Sequence, residues 1–248
     1  MRPAFRPALA LLFAVLAPAL FAAAPGLPSY DGMALPFKEV VVAAPVESTL
    51  VEVDVKEGDT VKTGQLLARL YSKLEELDMQ RAKAALEKRE FDARGAQNLL
   101  ADKIMPEDKA LEARIERDLA QLQYEAAAEQ VRLRSITAPL DGLVVEKMHE
   151  AGEAVTPAMP LFRIIDISRV YVQFFIKVED LDRFRVGQTL AARFPLLNGG
   201  QPFTGAIDFI DPRVDAASGL MRVKVLIDNP VRLIKAGMRA DVTLPVVP

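Results

Sequence analysis

At 248 residues the chain has room for one to three small domains, and an apolar fraction of 51% is enough for real cores. A formal charge of −3 with no basic block gives nucleic-acid binding no electrostatic support. The absence of cysteine excludes disulfides, a thiolate nucleophile, a Cys-ligated metal and any lipid anchor built on cysteine.

Arg2 and Arg6 precede an apolar run from Ala8 to Ala24, broken only by Pro18. A charged start followed by an apolar stretch predicts an export signal or N-terminal anchor over residues 1–24. Ala22 and Ala24 suit cleavage, Pro25 in the next position does not, and cleavage after Ala19 is the alternative. The Pro/Gly-rich stretch that follows predicts a linker over 25–38.

Two copies of one β-motif come next, from Ala44 to Leu70 and from Ala138 to Ile164, aligned without a gap at an offset of 94. Ala44, Pro45, Val51, Glu52, Gly58, Val61, Leu67 and Arg69 recur as Ala138, Pro139, Val145, Glu146, Gly152, Val155, Leu161 and Arg163. Identities in register imply one small domain built from two half-motifs, 39–71 and 136–166. Within each half, valines alternate with charged residues, as at Val51, Val53 and Val55, which predicts half-buried strands.

Between the halves, residues 72–135 predict an antiparallel helical hairpin. Ser72 with Glu75 three residues on suggests a capping box. In the first helix Leu74, Leu77, Ala84 and Phe91 form one apolar row, and Met79, Ala82, Leu86 and Ala93 a parallel one. Pro106, Glu107 and Asp108 suit the start of the second helix. Its apolar stripe, Leu111, Ile115, Leu119, Leu122, Ala126 and Leu133, predicts the seam against the first helix. At the reversal, Leu99, Leu100, Ile104 and Met105 are too many apolar residues for a two-helix tip to bury. With Lys103 and Pro106 they form a candidate docking surface.

Residues 167–248 read as about six short strands with turns between them, which predicts a small antiparallel β-barrel. Val170 to Val178 and Phe203 to Ile210 are strand-like, Met221 to Ile227 alternates, and Asn198-Gly199-Gly200 suits a hairpin turn. The fold expected is therefore mainly β, with a coiled-coil hairpin inserted into a split domain.

The split domain resembles a lipoyl/biotinyl-type domain, its GDxVxxGxxL half-motif present from Gly58 to Leu67. With Ala138-Pro139-Leu140-Asp141-Gly142, Phe203-Thr204-Gly205, Ile210-Asp211-Pro212, Asp228-Asn229-Pro230 and Ala236-Gly237-Met238-Arg239, the ordered set resembles bacterial periplasmic adaptor (membrane fusion) proteins of the HlyD-like superfamily. That resemblance implies a non-enzymatic, barrel-sandwich hybrid protein in the periplasm, associated with the inner membrane. Its implied partners are an inner-membrane transporter, mostly of the resistance–nodulation–division type, an outer-membrane channel-tunnel protein, and further copies of itself, commonly a hexamer. An ABC-type transporter is the alternative partner. Adaptors of the first type carry a membrane-proximal domain after the barrel, for which the sequence up to Pro248 leaves no room. The family's tip pattern survives only in part, Met105 and Pro106 falling on its apolar and Ser positions.

Readings from other classes have less to rest on. A carrier-domain enzyme subunit would bear its cofactor on Lys73, but Asp-Lys or Met-Lys-Met context is missing, so no cofactor is expected. His149 is the sole histidine and the eight methionines are scattered, so no metal site is expected. Asp208 and Asp211 flank a strand end without a base or nucleophile, and a turn-capping role is expected.

Overall fold

The computed structural model describes residues 29–195, 197 and 200–244. The predicted signal segment 1–24, and Asn198 and Gly199 of the predicted hairpin turn, lie outside the described residues.

The elements in order are β1 (Ser29–Ala43), β2 (Ser48–Val53), β3 (Thr60–Val61), β4 (Leu66–Leu70), α1 (Lys73–Ala101), α2 (Glu107–Arg132) and β5 (Ser135–Thr137). They continue as β6 (Gly142–Lys147), β7 (Ala154–Val155), β8 (Pro160–Lys177), a 3₁₀ turn (Val178–Arg183), β9 (Thr189–Arg193), β10 (Pro202–Ile210), β11 (Leu220–Asp228) and β12 (Arg239–Thr243).

The two repeats form one interlocked sandwich. β3 pairs with β6 of the other half, and β2 with β7. The loops obey the same two-fold relation. Gly58 N–H donates to Val144 O and Gly152 N–H to Leu50 O, at 2.9 and 2.7 Å. Val144 N–H and Leu50 N–H return the bond to Asp59 O and Glu153 O. Equivalent residues Ala44 and Ala138, Leu50 and Val144, Val61 and Val155, Leu67 and Leu161 all enter one buried cluster. The expected inward valine at Val51 is corrected: it is 57% exposed. A β-bulge between Leu50 and Glu52 turns it outward, and the second half has its bulge at the same place, between Val144 and Glu146.

The equivalence is imperfect at one backbone position. Gly64 has φ 81° and its partner in the second half, Ala158, φ 66°. An L-residue there carries roughly 1–2 kcal/mol of steric cost, part of which glycine returns as lost chain entropy. Ala158→Gly should therefore stabilise the protein by about 0.5–1 kcal/mol, measured as a raised denaturation midpoint at unchanged m-value.

The barrel differs from expectation in where its strands come from. Strand order β1-β12-β9-β10-β11-β8, closed by β1 pairing with β8, makes a six-stranded barrel. One of the six is supplied from upstream of the sandwich. Residues 29–38, expected as linker, are the first part of β1, with Ser29 to Met33 paired to β12 and Gly32 to Pro36 paired to β8. Pro36, one of the prolines that suggested a linker, is tolerated because the ladder shifts register between it and Lys38. Gly32 is needed where β1 meets both neighbours: a Cβ there would lie 2.9 Å from Val172 Cγ1. The expected boundaries at 38/39 and 166/167 fall inside continuous strands. β1 and β8 run unbroken from barrel to sandwich, because their alternating apolar residues serve the barrel cluster at one end and the sandwich cluster at the other.

Asp208 and Asp211 do not form a dyad. Asp208 accepts from Tyr171 Oη at 3.0 Å. Asp211 accepts the backbone N–H and guanidinium of Arg213 and the guanidinium of Arg222. Hydrogen bonds from Arg213, with the Arg222 charge adding, hold its carboxyl down at about 2. A folded-state pKa below the unfolded one means stability fully present above the ordinary 3.8 and lost as pH falls toward about 2. Asp211→Asn should lower the thermal midpoint markedly at neutral pH and much less near pH 2; a loss equal at both pH values would show that packing, not ionisation, matters here.

Candidate interaction surface on the helical hairpin

Both helices are rich in Ala, Leu, Glu, Lys, Arg and Gln, the strong helix formers. At 1.5 Å per residue α1 is about 40 Å long. The base is held by Arg134, whose guanidinium bonds Glu75 and, at 3.1 Å, the carbonyl of Glu47 in the sandwich. The capping box is corrected: Ser72 Oγ donates to Glu76 instead, because Glu75 is engaged by Arg134.

The seam is a heptad pair. Residues protected on α1 include Met79, Ala82, Leu86, Arg89, Ala93, Ala96 and Leu100, at alternating spacings of three and four. On α2 they include Ala110, Ala113, Arg117, Ala120, Tyr124, Ala127 and Val131. The first-helix row at Met79, Ala82, Leu86 and Ala93 thus lies in the seam. The stripe expected to form the seam on α2 does not: Leu111, Ile115, Leu119 and Leu122 are solvent-exposed, Leu122 at 61%. Alanines occupy the contact face, which lets the helices approach closely, and Arg89 Nη1 to Glu116 Oε2 at 2.6 Å fixes the register. On α1, Leu74, Leu77 and Phe91 are likewise exposed, Phe91 at 72%.

At the tip Lys103 takes the left-handed conformation, φ 58°. Its N–H donates to Leu100 O and that of Ile104 to Leu99 O, at 2.9 and 2.8 Å, which is the Schellman pattern of helix termination. This closure holds the reversal rigid, yet leaves Ile104 70% and Leu99 39% exposed. Leu100 and Met105 are partly covered, and Lys103 and Pro106 lie open. The hairpin therefore ends in an ordered, partly apolar point bordered by exposed Asp102, Lys103, Glu107 and Asp108.

Elsewhere Lys73 is the exposed first residue of α1, and His149 Nδ1 lies 2.6 Å from Glu153 Oε2. Among the described residues no three His, Cys, Asp or Glu side chains converge as a metal site would require. No described helix is long and apolar enough to cross a membrane.

A split sandwich, a barrel sharing two strands with it and an inserted antiparallel hairpin define the periplasmic adaptor, or membrane fusion, class of the HlyD-like superfamily. The chain belongs to the CzcB-like barrel-sandwich hybrid family, whose pattern matches residues 38–166, and the CusB-like beta-barrel domain matches residues 169–246. It is 25% identical over 231 residues to the nickel-cobalt-cadmium resistance protein NccB of Alcaligenes xylosoxydans xylosoxydans, covering 88% of this chain and 53% of that one. It is 26% identical over 220 residues to the multidrug resistance protein MexA of Pseudomonas aeruginosa, covering 82% and 56%. The chain thus spans about half the length of these curated relatives. A crystal structure of a MacA-MexA chimeric protein, which contains the Pseudomonas aeruginosa MexA alpha-hairpin domain, shares the fold with a TM-score of 0.76 at 23% identity, over 87% of this chain and 79% of that one.

Proposed function

We propose that the protein is a periplasmic adaptor, associated with the inner membrane, that links an inner-membrane transporter of the resistance–nodulation–division type to an outer-membrane channel in a tripartite efflux complex. The observation that carries this reading is the hairpin: about 40 Å of helix anchored at one end and ending in an exposed, partly apolar tip. A catalytic role would need converging reactive groups, whereas this surface offers contacts. The metal and drug resistance named for NccB and MexA supports efflux as the process. On this reading the protein acts through interfaces, oligomerises, and carries no cofactor; its docking residues at the tip are Leu99, Leu100, Lys103, Ile104, Met105 and Pro106.

The test is a deletion strain screened against divalent metals and a panel of drugs, with the full chain supplied in trans. Restored tolerance together with co-purification of a transporter and an outer-membrane channel supports the reading. Unchanged tolerance and secretion in the deletion strain would overturn it.

A further inference from the structure

The two helices of the hairpin carry six arginines. Arg81, Arg89, Arg117 and Arg132 each pair with a carboxylate. Arg94 and Arg114 form no such pair among the described residues, and both line one groove between α1 and α2. Arg94 Nε reaches the carbonyl of Glu90, at 3.3 Å, within its own helix. Cations gathered without counter-charges repel one another. The chain as a whole is acidic, at −3, so this gathering is not a by-product of composition.

The third guanidinium in the groove is that of Arg117, at a seam position. Its counterpart in the seam of α1, Arg89, crosses to Glu116 of the other helix at 2.6 Å. Arg117 instead turns to its own neighbour Asp118, at 2.8 Å. Its Nε is screened from solvent and finds no acceptor among the described residues. A donor left in that state costs stability that an incoming acceptor recovers. Small seam residues, Ala93 and Ala110, leave the groove open to about 490 Å³, a volume in the range of small-ligand sites. Gln97 adds an amide to its lining, and Glu90 is the one carboxylate among the described residues that line it.

We propose that this groove binds a phosphate monoester or diphosphate group, held by Arg94 from α1 and by Arg114 and Arg117 from α2. A guanidinium grips an oxyanion through two parallel N–H donors. A carboxylate has oxygens for one such fork. A terminal phosphate offers three oxygens and a diphosphate more, which suits three guanidiniums on two helices. The site lies in the tip half of the hairpin, so its occupant ties α1 to α2 just behind the reversal at Lys103. It rests on the hairpin alone and goes beyond the adaptor reading, which it does not require.

The test titrates inorganic pyrophosphate, inorganic phosphate and acetate into the purified full-length protein at constant ionic strength, with the arginine Nε–H signals followed by NMR. Saturable shifts are expected at Arg94, Arg114 and Arg117, with pyrophosphate binding at least about tenfold more tightly than acetate. Arg94→Gln with Arg114→Gln should weaken pyrophosphate by about tenfold or more. Both side chains are exposed, so the melting curve should hold. Glu90→Gln should strengthen binding by about threefold, because it removes the opposing charge from the lining. That gain, and the titration of the unaltered chain, decide the matter even if the double variant folds poorly. Vesicles of neutral lipid doped with phosphatidic acid separate the sources of the phosphate. Co-sedimentation that is lost in the double variant assigns the site to a lipid headgroup; pyrophosphate binding without co-sedimentation assigns it to a soluble phosphate ligand. Shifts that do not saturate, that acetate matches, or that move Arg81 and Arg132 equally would overturn the site, as would unchanged binding in a folded double variant.

Discussion

Replacing Leu99 and Ile104 together with aspartate is expected to abolish transport while leaving the fold, the export and the thermal midpoint of the protein nearly unchanged. Both side chains are already substantially exposed, so the folded state loses little when they become polar. The backbone bonds that close the tip come from the N–H groups of Lys103 and Ile104 and the carbonyls of Leu99 and Leu100, and they survive the exchange. At a helical docking contact the same carboxylates would be stripped of water without a partner, at a cost of about 3 kcal/mol or more. That is over about a hundredfold in affinity. Leu100 is a poorer choice for the experiment, because it occupies a seam position. The measurement is tolerance in the deletion strain beside a melting curve of the purified variant. A double variant that folds and transports normally would remove the tip from the docking surface. One that unfolds would show that Leu99 and Ile104 instead staple the reversal shut.

Phe162→Ala is expected to cost about 3–5 kcal/mol, the usual range for emptying a buried phenylalanine site. Phe162 is 1% exposed, in the sandwich half of β8, and packs in the cluster made by both repeats. The damage should not stay in the sandwich. β8 continues to Lys177 and forms the barrel with β1, so the barrel cannot keep its closing pair while the other ends of those strands fray. Hydrogen exchange should show barrel and sandwich amides losing protection together. Retained protection at β9 to β12 with fast exchange in β2 to β7 would mean that the two cores unfold independently.

The repeat, the single sandwich and the presence of hairpin and barrel were legible because each rests on a local signal: Gly58 and Gly152 at their turns, Met221 to Ile227 alternating except at Leu226, long runs of helix formers. What was hidden was decided by partners distant in sequence. Pro36 and Gly32 look like linker until β8 and β12 are seen on either side of them. Val51 follows the strand period but sits at the bulge. In α2, large aliphatic residues outweigh alanine on any hydrophobicity count, so Leu111, Ile115, Leu119 and Leu122 suggested the seam. Close approach of two helices favours the small residue instead, and the larger ones were left for the outside. The exposed positions of Ile104 and Leu99 were foreseeable in kind, since a two-helix tip has too little volume to cover them. The left-handed turn at Lys103 carried no sequence signal, as lysine has no preference for it.

The hairpin also has a bearing on how the chain becomes connected. The repeats lie far apart in sequence, and joining them through a featureless insertion would carry a closure entropy that rises with the logarithm of its length. α1 and α2 avoid most of that search. Their mutual contacts join residues close in sequence on either side of the reversal at Lys103, and at their base Leu70 N–H lies 2.8 Å from the Arg134 carbonyl. With the helices paired, β4 and β5 meet as neighbours of a short effective loop, so the insertion raises the closure cost of the sandwich far less than its length would suggest.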